Sequence, residues 1–173
     1  GASASQATGH SRDPYIMKAQ DGAEYKYYMV ATDANTTNNY NNTGLHTWGS
    51  NDLITWDELA NPQFATDKGG GSKTITNMCW APEAIWDPVA GKYMVYFATN
   101  EADSAANESA KIYYSYTADF RTFTEKKVLF DPGYGVIDAD ITPYGNGYVM
   151  LYKKEASSGT GKSSLCSYIY GYR

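Results

Sequence analysis

Short apolar and aromatic runs alternate along the chain with polar, glycine-containing breaks, and the runs favour a period of two over one of 3.6. Tyr25-Lys26-Tyr27-Tyr28-Met29-Val30 follows Asp21-Gly22, a hairpin-turn signal. Tyr93-Met94-Val95-Tyr96-Phe97 follows Ala90-Gly91, and Tyr148-Val149-Met150-Leu151-Tyr152 follows Gly145-Asn146-Gly147. Each run reads as the second strand of a hairpin. No segment of a dozen residues sustains a helical period, so the pattern predicts an all-β chain.

The hairpins belong to a repeat. Ala31-Thr32-Asp33 aligns with Ala98-Thr99-Asn100, and Ser50-Asn51-Asp52-Leu53-Ile54-Thr55-Trp56 aligns with Thr117-Ala118-Asp119-Phe120-Arg121-Thr122-Phe123, both at an offset of 67 residues. A third copy starts near Val136. In each unit a first strand carries a polar break such as Asp-Pro, and a glycine turn leads to a tyrosine-rich second strand. A polar loop and a third strand follow, then the turn Ser/Thr-x-Asp-Leu/Phe-x-x-Trp/Phe and an outer strand. Four antiparallel strands per unit make the blade of a β-propeller. The expected units are 12–77, 78–133 and an incomplete 134–173, about two and a half blades. Asp52 and Asp119 are expected to cap their turns, and Trp56 and Phe123 to pack between blades.

Composition narrows the partners. The 173 residues are 42% apolar and 19% charged, which excludes a disordered tail. No apolar run approaches the roughly 20 residues of a membrane helix. The formal net charge is −5, so no nucleic-acid partner is expected. Aromatic residues reach 15%, with 17 tyrosines, a supply of flat amphipathic surface suited to stacking on sugars or packing sheets. Cys79 and Cys166 form no metal motif; Cys79, between Met78 and Trp80, reads as a buried thiol, and a bridge to Cys166 has no support. The start Gly1-Ala2-Ser3-Ala4-Ser5 reads as the remnant of a processed or engineered terminus. Asn35, Asn41 and Asn107 are glycosylation acceptors if the chain is secreted from a eukaryote.

Few motifs carry chemistry. Gly159-Thr160-Gly161-Lys162-Ser163 evokes a phosphate loop, but Ala156 stands where that pattern needs glycine, so it reads as a turn. His10 and His46 are too far apart in sequence to suggest a metal pair, and His46, at an alternating strand position, reads as a packed or solvent-facing strand residue in preference to a catalytic or ligand one. The acids say more. Asp13, Glu83 and Asp138 fall on the first strands of successive units, the strands that line a propeller's channel. Carboxylates converging there bind a cation or do acid–base work. Asp87, before Pro88, reads as a turn cap.

Taken in order, Arg12-Asp13-Pro14, Ser50-x-Asp52-Leu53-x-x-Trp56, Trp80-Ala81-Pro82-Glu83 and Ile137-Asp138-Ala139 resemble glycoside hydrolase family 43. The resemblance runs from about residue 12 to residue 155. It implies a five-bladed β-propeller and inverting hydrolysis of arabinose- or xylose-containing plant-wall polysaccharides, without a cofactor or a metal. It implies that Asp13 is the general base and that Asp138 tunes the general acid. Trp80, Glu83 and Arg12 are then pocket residues. The family's general acid is a Glu of the fourth blade. This sequence stops in the third, and Glu155 sits at an ordinary strand end.

The expectation is therefore part of a secreted glycosidase that lacks activity by itself, with a second chain or self-association completing the ring. The competing expectation is a non-catalytic carbohydrate-binding or structural fragment that assembles with another chain.

Overall fold

The computed structural model describes residues 10–34, 42–65, 78–100 and 110–154. Outside them lie the three glycosylation triplets' asparagines, Ala156, the 159–163 segment, Glu155 and Cys166. Ten strands account for the described residues: β1 (Ser11–Lys18), β2 (Tyr27–Asp33), β3 (Leu45–Ser50), β4 (Asp57–Ala60), β5 (Cys79–Asp87), β6 (Lys92–Thr99), β7 (Lys111–Thr117), β8 (Lys127–Phe130), β9 (Val136–Tyr144) and β10 (Gly147–Lys154). They form two antiparallel four-stranded sheets, β1-β2-β3-β4 and β5-β6-β7-β8, and a β9-β10 hairpin. The described residues are all-β, and they make two whole blades and the opening hairpin of another. The tight β5–β6 and β9–β10 turns rest on Gly91 (φ 61°) and Gly145 (φ 59°), in the left-handed region that glycine enters without penalty.

Strand periodicity explains how the blades stack. On β6, Tyr93, Val95 and Phe97 point to the core shared with the first sheet, and Tyr96 and Ala98 point to the core shared with β9-β10. One strand thus needs apolar side chains on both faces, which is why its sequence shows no polar alternation. On β2, Tyr28 and Val30 face the second sheet, whereas Met29 and Ala31 meet Trp48 and Trp56 on the opposite face. Trp56 therefore packs on the face of its own blade that is turned away from the second sheet. Phe123 does reach across, meeting Phe64 edge-on at 5.8 Å.

The two outer turns are built alike. Asp52 Oδ1 accepts the Ile54 and Thr55 amides at 2.8 and 2.7 Å, and Asp119 Oδ1 accepts the Arg121 and Thr122 amides, both at 2.9 Å. These capped turns force Leu53 (φ 63°) and Phe120 (φ 55°) into left-handed backbone. Asp87 caps as expected, taking the Val89 and Ala90 amides and the Tyr116 hydroxyl; those bonds hold its carboxyl below the usual range. His46 is the packed kind of strand residue: it is fully buried on β3, with Nε2 3.2 Å from Asp33 Oδ1 and Nδ1 3.6 Å from Glu58 Oε1. Cys79 is fully buried, and burial pushes its thiol well above the ordinary range.

Candidate active site

The first strand of each blade is interrupted at one place. Between Arg12 (opposite Thr32) and Tyr15 (opposite Val30), two residues of β1 face one of β2. The same bulge separates Trp80 from Glu83 on β5 and Ile137 from Asp140 on β9. Pro14 and Pro82 take the second bulge position, where a ladder donor is not required. The first position has left-handed backbone every time: Asp13 at φ 50°, Ala81 at φ 45° and Asp138 at φ 52°. Such backbone costs a non-glycine residue on the order of 1–2 kcal/mol, least for Asp and Asn. Three repetitions of one strained position mark a built feature of the fold. Strain at a bulge is often found beside active sites, because it re-aims a side chain.

This register corrects the placement of one acid. Asp13 and Asp138 are equivalent, but their counterpart on β5 is Ala81, not Glu83. Glu83 lies two residues further on, in the row that holds Tyr15 on β1 and Asp140 on β9. The Ala81 amide is fixed from the preceding blade, donating to Thr32 Oγ1 at 3.0 Å.

The row with Glu83 is where the titratable groups interact. Burial pushes Glu83 up to about 7; the Tyr96 hydroxyl, donating to its Oε2 at 2.9 Å, works against that rise, and the carboxylates of Asp140 and Asp138 add to it. Tyr15 is raised by burial and then by the charges of Glu83 and Asp140. Tyr96 is raised too, by burial first and then by Glu83, and its oxygen accepts the Ile141 amide at 2.9 Å. Asp138 is about half exposed and lies 3.5 Å from Lys153 Nζ. The structure thus gathers Glu83, Asp138, Asp140, Tyr15 and Tyr96. Asp13 and Arg12 are exposed at the start of β1. Trp80 is partly buried against the core between the second sheet and β9-β10. Among the described residues no group of three or more His, Cys, Asp or Glu is arranged to hold a metal ion.

Sequence reasoning passed over Asp140, Tyr15 and Tyr96. A signal for the first two was present: counting two residues on from Asp13, Ala81 and Asp138 lands on Tyr15, Glu83 and Asp140. The signal for Tyr96 was absent, because a tyrosine in a tyrosine-rich strand looks like any other until its hydroxyl finds partners.

Two blades thus carry a carboxylate on the same bulge, beside a carboxyl that burial pushes up to about 7, an arrangement able to take up and release protons. Residues 2–168 match the family described as a probable glycosyl hydrolase domain, related to glycoside hydrolase family 43, and the chain belongs to that family. An α-L-arabinofuranosidase of Bifidobacterium longum is 29% identical over 177 aligned residues, covering 89% of this chain and 16% of that protein. A thermostable family-43 glycoside hydrolase of known structure superposes at a TM-score of 0.58 with 24% identity, over 83% of this chain and 41% of the other. An exo-β-1,3-galactanase from Phanerochaete chrysosporium, solved with β-1,3-galactotriose, gives a TM-score of 0.54 at 15% identity, over 90% of this chain and 36% of its own. These likenesses support the propeller fold, and the chain spans less than half of each relative.

Proposed function

We propose that this chain supplies the first blades of an inverting glycosidase that acts on arabinose-containing plant-wall polysaccharide, with xylose-containing chains as the other substrate class. The observation that carries the reading is the matched pair of bulges that present Asp13 and Asp138. An inverting enzyme needs an ionised base that activates water and a protonated acid about 6.5–9.5 Å away. Asp13, exposed at the head of β1, suits the base, because its carboxylate is open to the water it would activate. Asp138, on the equivalent bulge two blades on, suits the residue that raises and orients the acid, since a fixed negative charge disfavours ionisation of its neighbour. Arg12, Trp80 and Glu83 are assigned to the pocket wall, Trp80 through packing from behind. The proton donor is a carboxylic acid outside the described residues. A wall polysaccharide is met outside the cell, so an extracellular setting belongs to the same reading.

Ile16, Leu53 and Ile54 are exposed on the first blade. We assign the Leu53 side to contact with further blades, from a second chain or another copy. The test is hydrolysis of an aryl α-L-arabinofuranoside. The isolated 173-residue chain is expected to show no turnover. In an active enzyme carrying these blades, Asp13→Asn should lower kcat by about 10²–10⁴-fold, the usual worth of a general base, with KM little changed. Undiminished activity in Asp13→Asn would overturn the assignment.

A further inference from the structure

We propose that Glu83, Asp140 and Tyr96 form a proton-sharing clasp between the second and third blades, and that Tyr96 is a positioning residue for the Asp138 bulge. The geometry comes from three strands. Glu83 leaves β5 one residue past its bulge, and Asp140 leaves β9 at the equivalent place. The two carboxyl groups come within hydrogen-bonding reach of each other. Tyr96 rises from β6 beside Glu83. Its hydroxyl donates to Glu83 Oε2 and accepts from the Ile141 amide, both at 2.9 Å. One oxygen thus ties a side chain of the second blade to the backbone of the third, three residues from Asp138.

The pairing settles the proton count. Two carboxylates this close repel if both are ionised, so one proton held between them turns repulsion into a hydrogen bond. Tyr96 cannot supply that proton, since its own hydrogen already points at Glu83. The other charged or titratable groups turned toward Glu83 are Tyr15 from β1 and Asp138 from β9; the charge of Asp138 favours retention of the proton, and Tyr15 is itself held neutral by burial and by Glu83. Lys153 on β10 is turned toward Asp138. Burial of Glu83 acts in the same sense. The clasp is therefore closed below neutrality and strained above it.

The same tie is made one seam earlier by different atoms. Thr32 on β2 holds the Ala81 amide of the β5 bulge. In both seams a hydroxyl from the second strand of one blade fixes an amide at or near the bulge of the next. In the later seam that hydroxyl is also tied to a carboxyl that carries a proton, which makes the position of Asp138 sensitive to pH. The positioning role rests on the assignment of Asp138 to the active site; the clasp does not.

The clasp is tested on the full chain by following carboxyl carbons of Glu and Asp by NMR as pH is changed. Glu83 should titrate with a midpoint near 7. Asp140→Asn should lower that midpoint, because it removes a negative neighbour, and Tyr96→Phe should raise it, because it removes a bond to the ionised form. Stability of the wild-type chain should fall from about pH 4.5 to about 7, because the folded state holds a proton there that the unfolded state has released. Glu83→Gln should flatten that slope. A wild-type midpoint at the ordinary glutamate value overturns the clasp, even where a variant fails to fold. In an active enzyme, Tyr96→Phe should lower kcat at least tenfold at neutral pH, leave KM within about twofold, and shift the alkaline limb of the kcat profile. An unchanged profile alongside the expected NMR shifts would overturn the positioning role. Loss of the Asp13→Asn effect alone would overturn the proposed function and leave the clasp standing.

Discussion

The outer turns of the first and second blades share a design and differ in fate. Both use Ser or Thr, then Asp two residues on, to collect successive backbone amides, and both drive the next residue to positive φ. In the first blade that residue is Leu53, 47% exposed, and in the second it is Phe120, fully buried. Phe120 stacks on Tyr28 of the first blade, with ring centroids 4.4 Å apart at 18°, and meets Tyr93 at 5.1 Å. The carbonyls diverge as well. Leu53 O accepts the Trp56 indole at 3.3 Å, from inside its own turn. Phe123, the counterpart of Trp56, has no N–H to give, and Phe120 O instead accepts Thr47 Oγ1 of the neighbouring blade at 2.6 Å. The turn's shape is local, whereas its contribution to stability depends on whether a blade lies on its inner side.

Truncating the two residues would break this comparison most directly. Phe120→Ala should cost about 3–5 kcal/mol, as for other buried aromatic side chains, because it empties the seam between Tyr28 and Tyr93. Leu53→Ala should stay within about 0.5 kcal/mol, the range for exposed positions. Urea unfolding of the full chain measures both, and equal losses would show that Leu53 is covered in solution by another blade. Next in size is Thr47→Val, which keeps the shape and strands the buried Phe120 carbonyl. A loss of about 1–3 kcal/mol is expected.

The same contrast shows how far the sequence could be read. The repeat and the capped turns were legible, because turns depend on residue types at fixed spacing: Ser50-x-Asp52 and Thr117-x-Asp119 announce themselves. The strands were legible from period and composition. The inter-blade contacts were not, since nothing in Trp56 and Phe123 says that Phe123 meets Phe64 of the first blade while Trp56 lies on the face turned away from the second. The bulges were half legible. Proline inside a strand at residues 14 and 82 signalled an interruption, yet the third bulge has Ala139 there and no such mark. Glu83 falls off the position shared by Asp13 and Asp138 because it stands two residues past Ala81, their counterpart on a strand with the same bulge, and an acid on the right strand does not announce its exact row. His46 was legible as a strand residue but its neighbours were not: Asp33 and Glu58 lie on the strands to either side of β3, and sequence spacing does not bring them together.

The caps sharpen the comparison from the other side, since here the two turns should behave alike. Burial pushes the Asp119 carboxyl up, but the Thr122 and Arg121 amides outweigh it and hold the group below the usual carboxylate range. For Asp52 the Thr55 and Ile54 amides have the same net effect. A carboxyl lowered in the folded state contributes stability above its unfolded value, near pH 4, and loses that contribution as pH falls below it. Asp119→Ala should cost about 1 kcal/mol at pH 7, a typical capping loss, and less at pH 3. Asp52→Ala should shift Tm in the same direction with the same pH dependence. A loss confined to Asp119 would mean that the cap matters only through the seam.

The smallest expected effect has the most diagnostic sign. Leu53→Gly keeps every bond the turn makes through this residue, since the Leu53 amide donates to Ser50 Oγ at 2.9 Å and its carbonyl accepts from Trp56. The change removes a Cβ from left-handed backbone at φ 63°, relieving on the order of 1 kcal/mol. It also frees the unfolded chain, which returns roughly 0.5–1 kcal/mol in the opposite direction. The exposed Leu53 side chain has little packing to lose, so the net change should be a few tenths of a kcal/mol, neutral or stabilising. Phe120→Gly relieves the same backbone yet should be destabilising by at least as much as Phe120→Ala, because the seam dominates. Opposite signs at two positions with one backbone conformation would separate the local strain of the turn from the packing that only the second blade's turn makes. A clear loss at Leu53→Gly would instead mean that the first blade's outer face is packed in solution.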